Sequence, residues 1–497
     1  MDRLESFWKK SKREVQGVLE DVGLRDARPD DSHAQQQPPP PPFESHPHHQ
    51  QFHDRRPRLD HCHHDHHRRR KGIFCHYMVG SMGSIEQAHT DVREAKSVGF
   101  DAFVLNVQNV KDDWSLTALS WVFSAAEAAD FKLFFSFDMD VLADPIDFLP
   151  LFVHHQAHPA YYRYQGLPFV STFQGGRKSF DLPHPNEGWT LKFRAQLQDR
   201  YGIIPFFVPD FDDHGGAAYD DAFFNRYAVV DGVFSWETAW PFEDDGISDV
   251  SSAVDEVGMN CAHNAGKVYM MPMSSLQFKR IDGSGNWYRR GELNLAQRMA
   301  QVLALSPDFV QIISWNDAGE SHYVGNVWPE GIASCPDIGL YTNGYDHKAW
   351  LHVIAPFIAA YKAGATHPSQ ILPFGGFAGV FWYRDRLADT HCPGDCMGKP
   401  SGCENAEDAI NFAILLPADT QGVGINVWSG GELLASIPGQ PGLNAHSVKG
   451  VKTGPQRVEL IKDGHISMGA GDSPINVTSE AGEGKTYNYN YHVVHIS

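Results

Sequence analysis

The sequence lacks the patterns that would assign it to several common protein classes. It contains no run of eighteen or more apolar residues, which excludes a membrane-spanning helix and predicts no membrane partner. Basic residues are in the minority, 41 against 61 acidic ones, and the formal net charge of −20 argues against nucleic acid as a partner. A neutral substrate fits this charge balance better than a polyanion does.

The motifs of several enzyme classes are missing as well. No Gly-rich phosphate turn follows an early strand, no GxSxG elbow presents a serine nucleophile, and no HExxH motif supplies zinc ligands. His76, His322 and Asp138 could converge in a folded chain, but their spacing is not that of metal ligands. We therefore predict neither a cofactor nor a metal.

Two features of the sequence indicate different cellular compartments. The first residues lack an apolar stretch of the length that a signal peptide requires. Cys392, Cys396 and Cys403, three of the seven cysteines, lie in a Gly/Pro-rich loop whose spacing predicts one disulfide and one spare thiol. A disulfide is typical of an oxidising environment.

The N-terminal part, residues 1–70, has a composition of its own. A short amphipathic helix is predicted for residues 1–24. The segment 25–70 contains QQQPPPPP and ten of the 27 histidines, and it has few residues able to form a core. We predict a disordered low-complexity tail. Metal binding by the His-rich run with Cys62 is the alternative, and the composition favours a solvated tether.

Strands and helices alternate eight times after Gly72. The strands are near-continuous apolar runs, from IFCHYMV (73–79) to FVQIISWND (309–317), as expected for parallel strands buried on both faces. Eight alternations in roughly 290 residues predict an α/β fold, a (β/α)8 TIM barrel over residues 71–366. A doubly wound open sheet is the rival, but it would favour a Gly-rich phosphate turn.

The last part of the chain, residues 367–497, has short strands separated by turns. Segments such as GVFWYRD, DAINFAILLPA and GVGINVWSG predict a β-sandwich accessory domain. Its role is either support of the barrel or carbohydrate binding. The strand patterns show no obvious aromatic platform, which favours support.

Polar and aromatic residues accumulate at the carboxyl ends of the predicted barrel strands, where barrel enzymes carry their active sites. The last strand runs into IISWNDAGESHYVG, with Asp317 and Glu320 three residues apart. Paired carboxylates with aromatic walls favour glycoside hydrolysis, in which one acid protonates the departing oxygen and the other activates water or attacks the sugar. The same spacing also suits a structural pair that caps a turn or binds an arginine.

Several segments, in order, resemble glycoside hydrolase family 71, the fungal α-1,3-glucanases or mutanases. They include FCHYMVGSMGS, LFFSFDM, FVSTFQG, VDGVFSWETAWP, MPMSSLQF and VQIISWNDAGESHYVG, and the resemblance extends from Ile73 to Ser497. It implies endo-type hydrolysis of α-1,3-glucan, a fungal cell-wall polymer, with inversion at the anomeric carbon and without a cofactor. It also implies a location outside the cell or in the cell wall, although an intracellular one stays open.

The resemblance places the catalytic pair at Asp317 and Glu320. We assign Glu320 as the acid and Asp317 as the base, and inversion implies a separation of roughly 6.5–9.5 Å between the two carboxyl groups. The other matched positions are expected to line the cleft and bind substrate: His76, Asn106, Asp138, Trp236, Glu237, Trp240, Trp315, Asn316, His322 and Tyr323. For each of these, packing at the top of the barrel is the alternative role.

One position departs from the family pattern. Members usually carry an aromatic residue where this chain has Ala318, and its absence would remove one wall of a sugar subsite. Two alternatives to the main interpretation therefore remain, a glucan-binding protein that has lost catalysis and a barrel hydrolase of another α-glucan. We expect a monomer whose partner is a polysaccharide.

Overall fold

The computed structural model describes residues 71–216, 218–242, 246–481 and 485–497. Lys71–Ser497 belong to one compact unit. The predicted N-terminal tail, with its short helix and His-rich run, lies outside the described residues. Within the described ranges, every helix is too short or too polar to cross a bilayer.

A curled sheet of parallel strands organises the first two thirds of the described chain. Its strands and their antiparallel additions are, in chain order, β1 (Gly72–Met78), β2 (Ala102–Val107), β3 (Lys132–Asp138), β4 (Arg163–Tyr164), β5 (Leu167–Phe173), β6 (Phe206–Phe207), β7 (Gly232–Phe234), β8 (Val268–Ser274), β9 (Gln277–Ile281), β10 (Gly285–Arg289) and β11 (Phe309–Ile313). Neighbouring parallel strands follow the order β6-β5-β3-β2-β1-β11-β8-β7. β4 pairs with β5, and β9 with β10, in antiparallel hairpins.

Helices follow most of the parallel strands, which confirms the predicted mixed α/β class. They are α1 (Ile85–Val98), α2 (Asp113–Ala129), α3 (Pro145–His155), α4 (Pro185–Gly188), α5 (Ala195–Tyr201), α6 (Asp221–Arg226), α7 (Ala253–Asn264), α8 (Asn294–Leu305), α9 (Pro329–Ile332), α10 (Pro336–Thr342) and α11 (Leu351–Ala363), with a π-helical turn at Trp189–Arg194. Three of the helices, α1, α3 and α6, begin with a side-chain cap. α1 begins after Ser84, whose hydroxyl accepts a hydrogen bond from the Gln87 N–H, and it ends at Gly99 in the left-handed conformation.

Aromatic rings fill the interior of the curled sheet at the amino end of its strands. Phe74, Phe134, Phe169 and Phe309 come from β1, β3, β5 and β11, and their ring centroids lie 4.6–5.9 Å apart in the contacting pairs. All four side chains are fully buried. One end of the sheet is therefore closed by packing, and the carboxyl end remains available for a cleft.

Two antiparallel sheets form the C-terminal part and confirm the predicted change to β structure. Their strands are β12 (Ala378–Tyr383), β13 (Ala409–Leu416), β14 (Val423–Ser429), β15 (Glu432–Pro438), β16 (Gly442–Lys449), β17 (Gln456–Lys462), β18 (Ile466–Asp472) and β19 (His492–Ile496). The sheet orders are β16-β13-β12-β19 and β15-β14-β17-β18. Phe381 and Phe412 of the first sheet share a buried cluster with Ile425 and Val458 of the second.

The first C-terminal sheet also packs against the α/β part of the chain. The Trp382 indole N–H donates a hydrogen bond to the Glu292 carbonyl at 2.9 Å, and its ring lies 5.9 Å from that of Trp350. A ring nitrogen of His347 lies 3.1 Å from the Tyr491 carbonyl oxygen. Trp382 and Tyr491 thus belong to the main hydrophobic core together with residues of the parallel sheet.

The predicted disulfide is not formed. The six cysteines in the described residues are free, and they include the three candidates, Cys392, Cys396 and Cys403. Their loop is held by other contacts, chiefly a buried ion pair between Asp395 and Arg280. The Gly/Pro-rich composition correctly indicated a loop, but the spacing of the thiols did not determine a bridge.

Candidate active site

An open cleft of about 200 Å³ lies at the carboxyl end of the parallel strands. Most of the parallel strands, or the loops after them, contribute polar or aromatic side chains, because parallel strands end at the same edge of a sheet. The lining residues are His76, Met78, Ser81, Asn106, Gln108, Asp138, Asp140, Phe173, Trp236, Lys279, Trp287, Asn316, Asp317, Ala318, Gly319, Glu320, Gly331, Ile332 and Ile338.

The loop after β11 is tied down by its own short-range hydrogen bonds. The Asp317 N–H donates to the Ser314 hydroxyl at 2.9 Å, and the Glu320 N–H donates to Asp317 Oδ1 at 3.2 Å. Asn316 exchanges two hydrogen bonds with the backbone of Met78, at 2.8 and 3.2 Å, which joins the loop to the end of β1. Both acidic side chains are thus presented to the cleft from a rigid turn.

Glu320 is surrounded by hydrogen-bond donors and positive charge. Gln277 Nε2 donates to Glu320 Oε2 at 2.7 Å, and the buried Lys279 ammonium lies 3.5 Å from Oε1. His322 Nε2 lies 3.4 Å from Oε2. Burial raises the pKa of Glu320, but Lys279, His322 and Gln277 outweigh burial and lower that pKa to about 2. Glu320 is therefore ionised across the ordinary pH range.

The pKa of Asp317 is shifted in the opposite direction to that of Glu320. Burial, together with the neighbouring Glu320 carboxylate, raises the pKa of Asp317 above its ordinary value, although His322 and Lys279 act in the other direction. One oxygen of Asp317 and one of Glu320 lie within 4.8 Å of each other. This approach of two single oxygens is closer than the roughly 6.5–9.5 Å that separates the carboxyl groups of an inverting pair.

A third carboxyl group, Asp138 at the end of β3, lies in the same cleft. It is almost completely buried, and its Oδ1 accepts a hydrogen bond from the Asp140 N–H at 3.1 Å. Burial and the Asp140 carboxylate raise the pKa of Asp138 to about 7. Among the described residues, His76 Nε2 and Asn106 Oδ1 are buried polar atoms without a hydrogen-bond partner. This wall of the cleft therefore keeps hydrogen-bonding capacity that no other group in the described residues uses.

The sequence did not predict the most extensive contacts of Glu320, which come from the β9–β10 hairpin. Gln277 and Lys279 lie on β9, and Trp287 of β10 lines the cleft with its ring 4.5 Å from the Lys279 ammonium. Gly285 lies against the Trp287 ring, at a distance that leaves no space for a Cβ atom. The segment QFKRIDGSGNWYR has the turn residues and alternation of a hairpin, and that pattern could have been recognised.

Three aromatic residues predicted to line the cleft are packed inside the protein instead. Trp240 is buried against the His322 ring and the Arg289 guanidinium. Trp315 packs on Phe103. Tyr323 stacks on His347, with 4.1 Å between the ring centroids. Side chains alternate along an extended chain, so neighbours of a cleft residue commonly point into the core. Of the predicted aromatic residues, only Trp236 reaches the cleft.

Glu237 and His322 also differ from the prediction. Glu237 forms an ion pair with Arg289 at 2.8 Å and lines a separate cavity of about 160 Å³ together with Asp212. His322 is fully buried behind the two acids, where its Nδ1 lies 3.2 Å from the Ser314 hydroxyl. His322 can therefore act on the carboxylates electrostatically, from the side away from the cleft.

Two carboxylates and one imidazole are close enough to hold a cation. Asp317, Glu320 and His322 each offer one ligand atom, and these atoms lie within 4.8 Å of one another. The Lys279 ammonium already supplies positive charge at 3.5 Å from Glu320. The absence of a metal requirement stays a prediction.

The comparisons with known proteins identify relatives over most of the chain. The glucan endo-1,3-alpha-glucosidase agn1 of Schizosaccharomyces pombe is 29% identical over 428 residues, which cover 84% of this chain and 93% of that protein. A mutanase of Penicillium rubens is 30% identical over 430 residues, covering 85% and 88%. The ascus wall endo-1,3-alpha-glucanase of S. pombe is 26% identical, covering 86% and 98%.

Among solved structures, a GH99 endo-alpha-mannosidase from Bacteroides thetaiotaomicron matches 59% of this chain and 98% of its own, with a TM-score of 0.45 and 11% identity. The family model for glycosyl hydrolase family 71 matches residues 69–497, which include the whole region of the expected resemblance. The resemblance is thereby confirmed, and this chain belongs to glycosyl hydrolase family 71.

Proposed function

We propose that this protein hydrolyses α-1,3-glucan in the cleft at the carboxyl end of the parallel strands. The observation that carries the proposal is the pair of adjacent carboxyl groups whose environments shift their pKa values in opposite directions. Such a split is what acid–base cleavage of a glycosidic bond requires. The substrate comes from the relatives, whose names describe action on 1,3-α-glucan.

The electrostatics support a division of roles that reverses the one expected from the sequence. Asp317, whose pKa is raised, is the better proton donor to the departing glycosidic oxygen. Glu320, which Lys279 and Gln277 hold in its ionised form, is the better base for activating water. We accordingly assign Asp317 as the acid and Glu320 as the base.

Inversion at the anomeric carbon is part of this proposal through the family resemblance alone. One oxygen of Asp317 lies within 4.8 Å of one oxygen of Glu320, and this close approach does not itself support inversion. NMR of the first product formed from α-1,3-glucan would show its anomeric configuration directly. Initial release of the β-anomer is expected, whereas initial release of the α-anomer would contradict inversion.

Aromatic and polar walls suit a chain of glucosyl units. Trp236, Trp287 and Phe173 present apolar ring surfaces to the cleft, and such surfaces complement sugar rings. Ala318 lies in the cleft lining, and its single methyl group leaves open the space that an aromatic ring would occupy. We propose that Trp287, from a different element, supplies an aromatic wall near this position.

We further propose that the curled sheet is a closed (β/α)8 barrel over residues 71–366, followed by a β-sandwich domain over 367–497. Supporting closure, Asp210 and Phe234 form a parallel bridge, and the Phe234 N–H donates to the Pro209 carbonyl at 2.9 Å. The shared buried cluster of the two C-terminal sheets supports the sandwich. A monomer that acts on wall glucan outside the cell completes the proposal.

Two substitutions test the catalytic pair. Asp317→Asn and Glu320→Gln keep the size of each side chain and remove its acid–base chemistry, so each is expected to lower kcat on α-1,3-glucan roughly 100- to 10,000-fold. Asp147→Asn, at a surface acid on α3, is the matched control and is expected to keep full activity. Sugar release and product analysis provide the measurement.

The outcomes separate the alternatives. Binding of α-1,3-glucan by the wild type without turnover would indicate a glucan-binding protein. Turnover of starch or dextran in preference to α-1,3-glucan would indicate a hydrolase of another α-glucan. Full activity in both Asp317→Asn and Glu320→Gln would refute the assignment of the pair.

A further inference from the structure

The β9–β10 hairpin carries two sets of side chains on opposite faces. Lys279 lies opposite Trp287 and Gln277 lies opposite Arg289, and side chains paired in this way share one face of a hairpin. On this face Gln277 and Lys279 contact Glu320, and Trp287 lines the cleft. The position of the hairpin therefore determines what surrounds the proposed base.

The opposite face of the hairpin contacts residues 392–403, which we call the clamp loop. Arg280 binds Asp395 through two hydrogen bonds, one of them from Nε to Oδ2 at 3.0 Å. The Asp395 side chain is completely buried and that of Arg280 is 4% exposed. Asn286, which lies opposite Arg280, donates to the carbonyl oxygens of Met397 and Gly398, both at 3.2 Å.

Backbone pairing strengthens the same contact. The Ser401 N–H donates to the Asn286 carbonyl at 3.0 Å, and the Tyr288 N–H donates to the Ser401 carbonyl at 2.8 Å. Asp395 in turn accepts hydrogen bonds from the N–H groups of Met397 and Tyr487. The clamp loop thus contacts β10 through a parallel bridge between Ser401 and Trp287, and its own shape is set by the carboxylate that binds Arg280.

We propose that the Asp395–Arg280 pair makes the clamp loop a positioning element for catalysis, because it holds the hairpin where Gln277 and Lys279 contact Glu320. The proposal rests on the proposed function, in which Glu320 is the base. Asp395 and Arg280 are not among the residues that line the cleft, so they act only through the hairpin. Removing one partner of a buried ion pair leaves an uncompensated charge, which favours displacement of the hairpin.

The test compares two neutralised aspartates. Asp395→Asn loses the charge that binds Arg280. Asp231→Asn is the matched control, since Asp231 also forms an ion pair with an arginine, Arg194. Asp231 lies just before β7, at the amino end of the parallel strands and therefore at the end opposite the cleft. Hydrogen–deuterium exchange of the segment 277–289 is expected to increase in Asp395→Asn and to stay at the wild-type level in Asp231→Asn.

Activity provides the second readout. A displaced hairpin is expected to lower kcat/KM on α-1,3-glucan roughly 10- to 100-fold. The charged or titratable groups that face Glu320 are Asp317, Lys279, His322 and the buried hydroxyl of Tyr341. If Lys279 withdraws, the acid limb of the pH profile shifts to higher pH, an effect that lowered stability alone would not produce. Asp231→Asn should keep the wild-type profile at an equal amount of folded protein.

The outcomes keep the two proposals distinct. Unchanged exchange over 277–289 in Asp395→Asn, or an unchanged pH profile and kcat/KM, would overturn the clamp. A wild-type protein without activity on α-1,3-glucan would overturn the proposed function, while the exchange experiment would still test the clamp. If Asp395→Asn does not fold, Arg280→Lys keeps the charge, loses the two-point contact, and is expected to change the same readouts less.

Discussion

At the scale of single residues, the cleft contains acids whose behaviour depends on their neighbours. Glu320 is ionised because Lys279 and Gln277 contact it, whereas Asp317, three residues away, faces mainly the cost of burial. Asp138 is an extreme case of the second kind, since burial and Asp140 raise its pKa to about 7. Spacing along the chain could not show these differences.

The raised pKa of Asp138 leads to a prediction about stability. Its folded-state pKa exceeds the unfolded value, so the group favours the folded state at low pH, and this contribution is lost as the pH rises through about 7. Asp138→Asn removes the cost of the buried charge and can still accept the Asp140 hydrogen bond. We expect it to raise the free energy of unfolding at pH 8, by at most ~4 kcal/mol.

Urea unfolding at pH 4.5 and pH 8 would measure this effect. The increase in the free energy of unfolding caused by Asp138→Asn should be small at the lower pH, because Asp138 is already protonated there in the folded protein. Asp147→Asn, at the surface, should show no such dependence on pH. An equal change of stability at both pH values would contradict a buried carboxyl with a raised pKa.

At the scale of elements, the β9–β10 hairpin distinguishes this site from one built by strand ends alone. It lies between β8 and α8, in a connection that a simple β/α repeat would leave as a short loop. From it Gln277 and Lys279 reach the proposed base, and Trp287 adds a ring to the cleft. This one insertion supplies both electrostatic control and apolar surface.

Trp287 provides a prediction at this scale. Trp287→Ala removes an apolar wall and is expected to raise KM for α-1,3-glucan oligosaccharides about 10-fold, equivalent to ~1.4 kcal/mol of lost binding. The effect on kcat should be smaller, because neither carboxyl group changes. Tyr201→Ala, an exposed aromatic residue at the end of α5, is the control and should keep the wild-type KM. An unchanged KM in Trp287→Ala would remove this residue from the substrate site.

At the scale of the whole molecule, the C-terminal sheets are part of the construction of the site. Trp382 and Tyr491 lie in the same buried core as the parallel sheet, and the clamp loop contacts the β9–β10 hairpin. This arrangement favours the supporting role over a separate carbohydrate-binding module. The change from α/β to β structure therefore takes place within one compact unit, Lys71–Ser497.

A truncation tests this conclusion. A chain that ends at residue 366 would expose the surface that Trp382 and Tyr491 cover, and it would lose the Trp382 hydrogen bond to Glu292. We expect it to aggregate or to lose cooperative thermal unfolding, with no activity on α-1,3-glucan. Circular dichroism melting and size-exclusion chromatography would show this. A soluble, cooperatively folded 1–366 chain would contradict it.

The sequence by itself determined the alternation of buried strands and helices, the position of Asp317 and Glu320 after the last parallel strand, and the family. These follow from local patterns, namely buried strands, helical repeats and the WNDAGE segment, so no distant contact is needed to recognise them. It missed β16 and β18, since polar residues interrupt β16, two glycines interrupt β18, and neither strand is a buried apolar run. It also missed the hairpin, whose segment lies between two stronger patterns.

Only the tertiary structure decided in which direction the pKa of each acid shifts and which aromatic residues reach the cleft. Lys279 and Gln277 are some forty residues from Glu320 in the chain, and folding alone brings their charge and hydrogen bonds to it. Likewise Trp315 and Trp236 look alike in sequence, but one points into the core and the other into the cleft. Electrostatic shifts and side-chain direction depend on neighbours in space, and local sequence does not contain those neighbours.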